Sequence, residues 1–226
     1  MLNIKLIKMI EIKLFTNKPN KLVPYDYVNK MHGVVCRLLG NENYQTPIND
    51  YVYSFLNGGV FLKNGIRFEN NPYFFIRLNN FNIFKSFIEN INKNNELFYG
   101  LIIEGFYEPY LQDTDKTIFK TLPSSPILIP KRYDRYKILP EDEKSHIEDY
   151  MKNSVLKKGL ENGITLDNNL EIKIKKEHRH CDITYCNIIN KGRVFDLEIN
   201  TNSKTKEFIL LNGIGRSCGI GFGFIN

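Results

Sequence analysis

No apolar run in the 226 residues comes near the roughly 18 that a membrane-spanning helix needs. The first residues alternate lysine with aliphatics and have no signal-peptide organisation. Cysteine is scarce: Cys36, Cys181, Cys186 and Cys218 show no disulfide framework. Together these absences argue against a membrane span and a secreted disulfide scaffold, and a reduced, cytoplasmic location is the expectation. Histidine is limited to four residues. His178-Arg179-His180-Cys181, with Cys186 beyond, sets two rings on one face of a strand. Cys181 would face the other way, and the spacing matches no established zinc module. A solvated, basic strand end is the simpler reading, and neither a metal nor a cofactor is expected. His146 falls in the acidic first half of a helix and reads as a surface residue.

What the chain has in quantity is aromatic and basic. Hydrophobic residues make up 42%, with 16 Phe and 13 Tyr, ample for a core. The formal charge is +6 and the isoelectric point about 9.0, which suits a polyanionic partner. Glycine is concentrated: Gly213, Gly215, Gly219, Gly221 and Gly223 are five of the chain's 15. They flank Arg216 and Ser217. So few side chains let another backbone or a phosphate approach closely, and successive N–H groups can converge on an anion. A dinucleotide fingerprint would need a helix after the glycines, and none follows Gly223. The lysine–hydroxyl ending of a triphosphate loop is missing too. From spacing alone the stretch is a tight turn at a sheet edge or an anion-binding loop, ending in a strand from Gly219 to Ile225.

In chain order, Ile4 to Phe15 alternates as a strand with one wet face. Asp26 caps a helix whose apolar residues Tyr27/Val28, Met31, Val34/Val35 and Leu38/Leu39 keep a helical period. Val60 to Leu62 and Ile66 to Phe68 flank an Asn64-Gly65 hairpin turn, and Tyr73 to Leu78 is a further strand. A second helix with Phe81, Phe84, Phe87, Ile88 and Ile91 at helical spacing starts behind Asn80. Phe98 to Phe106 closes a β-α-β-β-α-β order with one extra hairpin strand, the ferredoxin-like split unit.

The polar stretch around Gln112 to Lys116 separates a domain of residues 1–115 from one of 116–226. The second half predicts a strand at Ile118 to Leu122, a basic run from Lys131 to Lys137, and a helix from Glu141 to Lys158. That helix has acids in its first turn, bases in its last, and Gly159 as its cap. Strands at Leu170 to Lys175, Ile183 to Ile189, Arg193 to Ile199, Phe208 to Leu211 and the terminus follow. The expected fold is α+β: tandem ferredoxin-like (RRM-like) units, antiparallel sheets with helices on one face. The second unit reads as degenerate, with no convincing second helix unless one hides near Lys204.

Gly213-Ile214-Gly215, Arg216 to Cys218 and Gly219-Ile220-Gly221-Phe222-Gly223-Phe224 resemble the C-terminal glycine-rich loop of the repeat-associated mysterious proteins, a CRISPR-associated RNA-binding superfamily. The chain is most similar there to the endoribonucleases that cut precursor CRISPR RNA. Val23-Pro24-Tyr25 before the first helix and Ser125-Pro126-Ile127 before the third resemble that family as well. The resemblance implies RNA cleavage without metal: a 2′-hydroxyl attacks the adjacent phosphate, leaving a 2′,3′-cyclic phosphate and a 5′-hydroxyl. It also implies a histidine in or just after the first helix as acid or base.

His32 lies in that helix, beside its apolar face and in register with Cys36. It is either the catalyst or a boundary residue packed on the neighbouring strand. Asn41 to Gln45, where many relatives place the histidine, holds none, so Tyr44 or Tyr51 would contribute, or the chain binds without cutting. For RNA binding the candidates are Lys131, Arg132, Arg135 and Lys137, interleaved with Tyr133 and Tyr136. Lys157 at the helix end and Gly213, Gly215, Arg216, Ser217, Gly219 and Gly221 in the loop complete the set. The implied partner is the repeat of a precursor CRISPR RNA, with a CRISPR effector complex and a homodimer left open. A non-catalytic subunit of such a complex and a metabolite-binding ferredoxin-like regulator are the alternatives.

Overall fold

A computed structural model describes residues 9–40, 51–107, 116–133 and 137–226. The first sheet contains β1 (Ile10–Thr16), β2 (Tyr51–Tyr53), β3 (Asn57–Leu62), β4 (Gly65–Leu78) and β5 (Ile103–Phe106). Its order is β2-β4-β1-β5, with β3 also on β4, and every pairing is antiparallel. β4 joins two expected strands into one. Its first half pairs with β3 and its second half with β1 and β2. The β3–β4 turn is Lys63-Asn64, since Leu62 pairs with Gly65.

Helices α1 (Tyr27–Leu39) and α2 (Phe81–Lys93) cover one face. Their stripes, Met31, Val35 and Leu38 from α1 and Ile83, Phe87 and Ile91 from α2, meet Ile12, Leu14, Phe74 and Ile76 of the strands. The Asn80 side chain accepts from the Asn82 N–H as the expected cap of α2. At α1, Asp26 stands at the cap position without a side-chain cap bond.

The second unit repeats the plan with β6 (Ile118–Lys120), β7 (Ile127–Leu128), α3 (Glu141–Glu161), β8 (Glu171–Tyr185), β9 (Ile188–Asn200) and α4 (Ser203–Asn212). Three sequence expectations change here. Phe208 to Leu211 is helix, not strand. Residues Phe208 to Asn212 are all buried, so the C-terminal half of α4 has no wet face to impose a helical period on the sequence.

The three strands expected between Leu170 and Ile199 are two long ones. They turn at Cys186-Asn187, both at positive φ (48° and 63°), as a two-residue type I′ hairpin turn requires. Gly159 is not a cap: it is buried inside α3, where a Cβ would stand 2.6 Å from Leu166 Cδ1. The second unit thus has both of its helices, and its irregularity lies in its first and last strands. The first is split into β6 and β7 around Pro123 to Pro126. The last is reduced to the terminal residues, where Lys120 and Asn226 exchange two backbone hydrogen bonds.

The units meet over the open face of the first sheet. Arg77 of β4 is fully buried there and pairs with Glu11 of β1 at 2.5 Å. Its Nη1 donates to the Leu210 carbonyl (3.1 Å) at the end of α4 and to the Ile225 carbonyl (2.7 Å). The Phe224 ring lies 4.1 Å from the guanidinium and stacks on Phe75. Nearby, Phe55 meets Phe222 edge-on at 5.2 Å, and the Phe55 N–H donates to Ser125 Oγ.

Removing one partner of a buried ion pair leaves the other charged and unpaired. Arg77→Ala is therefore expected to lose about 3–5 kcal/mol in urea unfolding at pH 7. Arg77→Met with Glu11→Leu should recover only part of it, because the Leu210 and Ile225 carbonyls still lack a donor. A loss under about 1 kcal/mol in the single variant would show that Arg77 does not anchor the interface.

Candidate functional site

The β8–β9 hairpin crosses from the second unit onto α1 of the first. The Cys186 N–H at its tip donates to Asn29 Oδ1 at 2.9 Å, and Ile183 and Tyr185 pack on the first core. This places Tyr185 edge-on to His32, ring centroids 6.1 Å apart. From the other side, the Tyr53 hydroxyl of β2 stands 3.4 Å from His32 Nδ1. Cys36, one turn along α1, sits 3.7 Å and 3.8 Å from the two ring nitrogens. Being nearly equidistant, its sulfur packs beside the ring and does not aim at one nitrogen. Tyr51 stacks on Tyr53 at 6.4 Å, and its hydroxyl lies 4.0 Å from the Cys36 sulfur.

His32 is half-buried, and burial lowers its pKa below the ordinary 6.5. The imidazole is therefore neutral at pH 7. Burial, reinforced by Tyr51 and Cys36, pushes the Tyr53 phenol well above 10, so it keeps its proton. Tyr185 is raised for the same reason, with Cys186 adding to it. A neutral imidazole between two protonated phenols can accept a proton from a hydroxyl group and pass one on.

The structure brings His32 and Tyr51 into one cluster through Cys36. Tyr44 lies outside the described residues. Tyr53 and Tyr185 were missed from sequence. Tyr53 lies two residues from Tyr51 in a tyrosine-rich stretch, a weak signal. Tyr185 reaches the site only by tertiary crossing, which no local pattern announces.

The glycine-rich loop joins this cluster through aromatic rings: Tyr53 meets Phe55, and Phe55 meets Phe222. Its glycines fit close contacts. At Gly221 (φ +99°) a Cβ would stand 2.4 Å from the Phe55 ring, and at Gly223 (φ +68°) 2.0 Å from the Ile214 carbonyl oxygen. Its N–H groups turn inward. Gly213 donates to Ile209, Gly221 to Cys218 and Gly223 to Pro126, while Gly215 donates to Ser154 Oγ. What the loop exposes is its tip, Arg216 and Ser217, with Gly219 half-buried behind them. Ser217 takes a left-handed conformation (φ 61°).

Lys158 of α3 holds the loop from below. Its Nζ donates to the carbonyls of Asn212 (3.0 Å) and Gly213 (3.1 Å) and lies 3.1 Å from Cys218 Sγ. Lys157, the residue singled out from sequence, points to solvent and pairs with Glu161 at 3.7 Å.

The basic run begins as a 3-10 turn, Lys131–Tyr133, with Lys131, Arg132 and Lys137 exposed. Tyr133 is buried, so its ring is core and unavailable to a base. Arg193, paired with Glu177, pins the turn by donating to the Tyr133 carbonyl at 3.0 Å. Arg135 falls outside the described residues. His178 pairs with Asp196 at 2.9 Å. No group of three or more His, Cys, Asp or Glu among the described residues is placed to hold a metal ion.

Lys158 and Lys157 give a paired test. Lys158→Met leaves two loop carbonyls without their donor and should cost about 1–3 kcal/mol. Lys157→Met should leave the unfolding midpoint unchanged, since exposed i,i+4 pairs contribute little. Equal effects of the two would overturn the support assigned to Lys158.

Against known proteins, the family profile described as CRISPR associated protein Cas6, C-terminal, matches residues 107–226. No curated protein gives a significant match. Among solved structures, a Cas6-related protein from Pyrococcus furiosus superposes with a TM-score of 0.77 at 20% identity, covering 97% of each chain. A structure described as CRISPR associated protein Cas6 gives 0.72 at 20% identity, covering 96% of this chain and 98% of its own. One described as an RAMP protein binding different RNA substrates gives 0.76 at 19%, with the same two coverages.

Proposed function

Since the chain belongs to the Cas6 family of CRISPR-associated proteins, we propose that it binds the repeat of a precursor CRISPR RNA and cuts it by metal-independent transesterification. The observation that carries the cutting is the neutral His32 imidazole, held between Tyr53 and Tyr185 where the two units and the glycine-rich loop converge. In this reading the neutral His32 imidazole, whose Nδ1 stands 3.4 Å from the Tyr53 hydroxyl, takes the 2′-hydroxyl proton on a ring nitrogen as the RNA seats against it. The alkoxide oxygen attacks the adjacent phosphorus, the bond from phosphorus to the 5′-oxygen breaks, and that oxygen takes up a proton. The products are a 2′,3′-cyclic phosphate and a 5′-hydroxyl. Tyr53 and Tyr185 keep their protons and, with Tyr51 beside them, serve as hydrogen-bond donors around the reacting phosphate.

Binding is assigned to the loop tip. Arg216 supplies charge, while Ser217 and Gly219 allow the phosphate backbone a close approach. Gly213, Gly215 and Gly221 hold the tip in shape, because their own N–H groups are already used. Lys131, Arg132, Arg135, Lys137 and Lys157 then act as a diffuse positive surface that steers RNA inward.

A second reading, an RNA-binding relative that does not cut, draws support from the absence of histidine in residues 41–50. It also fits the RAMP relative described as binding different RNA substrates.

In EDTA, His32→Ala should abolish cleavage of labelled repeat RNA while leaving its Kd within about twofold, since general acid–base loss costs rate and not affinity. Normal cutting by that variant would sink the catalytic assignment, and no cutting by the native protein would favour the second reading. Because burial lowers the His32 pKa, the base form persists on mild acidification. The acid limb of the cleavage rate should have its midpoint below pH 6.5. Arg216→Ala should weaken binding and reduce the salt slope by about 1.

A further inference from the structure

A cleft of about 320 Å³ opens between the β3–β4 tip, the start of α1 and the outer edge of β8. Tyr25, Phe61, Arg179, Ser124, His180 and Asp182 are among its lining residues. We propose that this cleft is a pocket for one unpaired nucleobase of the bound RNA, a specificity site separate from the His32 cluster. This rests on the RNA-binding reading above.

Three features select a nucleobase. The first is a wall of π surfaces. Tyr25 and Phe61 stack with rings 10° apart and centroids 6.4 Å apart, and the Arg179 guanidinium lies 5.1 Å from the Phe61 centroid. Both rings are well exposed, Tyr25 at 38% and Phe61 at 46%. Each half of the wall is fixed in place. The Tyr25 hydroxyl donates to the Leu62 carbonyl, and Arg179 Nη2 donates to the Pro123 carbonyl at 3.1 Å. Exposed aromatics and guanidinium planes held this way are the surfaces on which splayed RNA bases stack.

The second feature is the opposite side. Among the described residues β8 pairs only with β9, so residues 179–184 present an open strand edge to the cleft. Its main-chain donors and acceptors, with the side chains of His180, Asp182 and Thr184, can pair with the edge of a base. Ser124 already donates to Asn57 Oδ1 at 2.7 Å, which leaves its oxygen as an acceptor.

The third feature is charge. The cleft's lining carries one arginine, Arg179, and one aspartate, Asp182, a balance that suits a neutral base and disfavours a bare phosphate cluster. A base locked in a duplex could not present its face here, so the ligand is an unstacked nucleotide.

The test is an abasic scan. Repeat RNAs carrying one abasic site each are titrated by filter binding against native protein, Phe61→Ala and Arg179→Ala. Thermal midpoints confirm that these surface variants fold. The native protein should lose about tenfold affinity at one position. Phe61→Ala should bind that abasic RNA and the intact RNA equally, with its sensitivity at the other positions unchanged. If both variants read every position as the native protein does, the pocket is refuted while RNA binding stands. If the native protein binds no repeat RNA at low salt, the pocket and the reading beneath it fall together.

Discussion

A guanidinium taken wholly out of water sets the geometry of the rest. Arg77 is committed three ways at once: to Glu11 in its own sheet, to the carbonyls of Leu210 and Ile225 in the other unit, and to the face of Phe224. Its Nη2 has no hydrogen-bond acceptor among the described residues, and the aromatic ring against the guanidinium offsets part of that loss. Burial pulls the Arg77 pKa down and Glu11 pulls it up, but arginine does not give up its proton in a protein. The charge is therefore permanent, and the second unit must bring its carbonyls to it. That requirement fixes where the chain end lies. Phe224 and Asn226 then align with Leu122 and Lys120, and the glycine loop closes behind them.

The loop consequently does a different physical job from the one glycine-rich stretches suggest. Flexibility is not what it uses. Gly221 and Gly223 hold fixed positive-φ conformations, and their missing Cβ lets Phe55 and the Ile214 carbonyl come closer than any side chain would permit. Lys158 and Ser154 on α3 then hold the loop's carbonyl and N–H groups. A rigid loop of this kind presents Arg216 and Ser217 just ahead of Cys218, which packs on Val52 of β2, and β2 carries Tyr53 to His32. Pre-organisation matters because a phosphate gains most from charge that needs no reordering on contact.

Much of the first unit was legible because its helices have one wet face: the stripes of α1 and α2 follow from a boundary between core and water. The alternation of β1 marked the strand, but its polar face is not wet as expected, since the second unit covers it and Glu11 is buried against Arg77. The second unit hid its last helix because the apolar run Phe208 to Leu211 is buried on all sides and has no period. It hid the long hairpin because bulges between Ile174 and Lys176 and between Glu177 and Arg179 interrupt the alternation. Cys186-Asn187 also lacks the glycine that marks most such turns. The site was half legible. His32 stood out as a histidine on a helix boundary. Tyr185 is 153 positions away in sequence, and Lys158 looked like an ordinary dipole partner until its carbonyl contacts were in place.

Binding and proton transfer are physically separable in this arrangement, and burial separates them. Long-range attraction needs charge in water, and in the proposed function the exposed cations Arg216, Lys131, Arg132 and Lys137 would supply it. Proton transfer needs an imidazole near neutrality that is not already charged, and such a group gains from being taken partly out of water. A His32 on the solvated face of α1 would carry charge as readily as any surface histidine. Moved beneath Tyr185 and Tyr53, it gives up that charge and stays a neutral imidazole. The crossing of the β8–β9 hairpin onto α1 is what makes this exchange. The hairpin's tip packs on His32 while its edge and Arg179 line the cleft with Phe61, so one element contributes to both the proposed chemistry and the proposed base pocket.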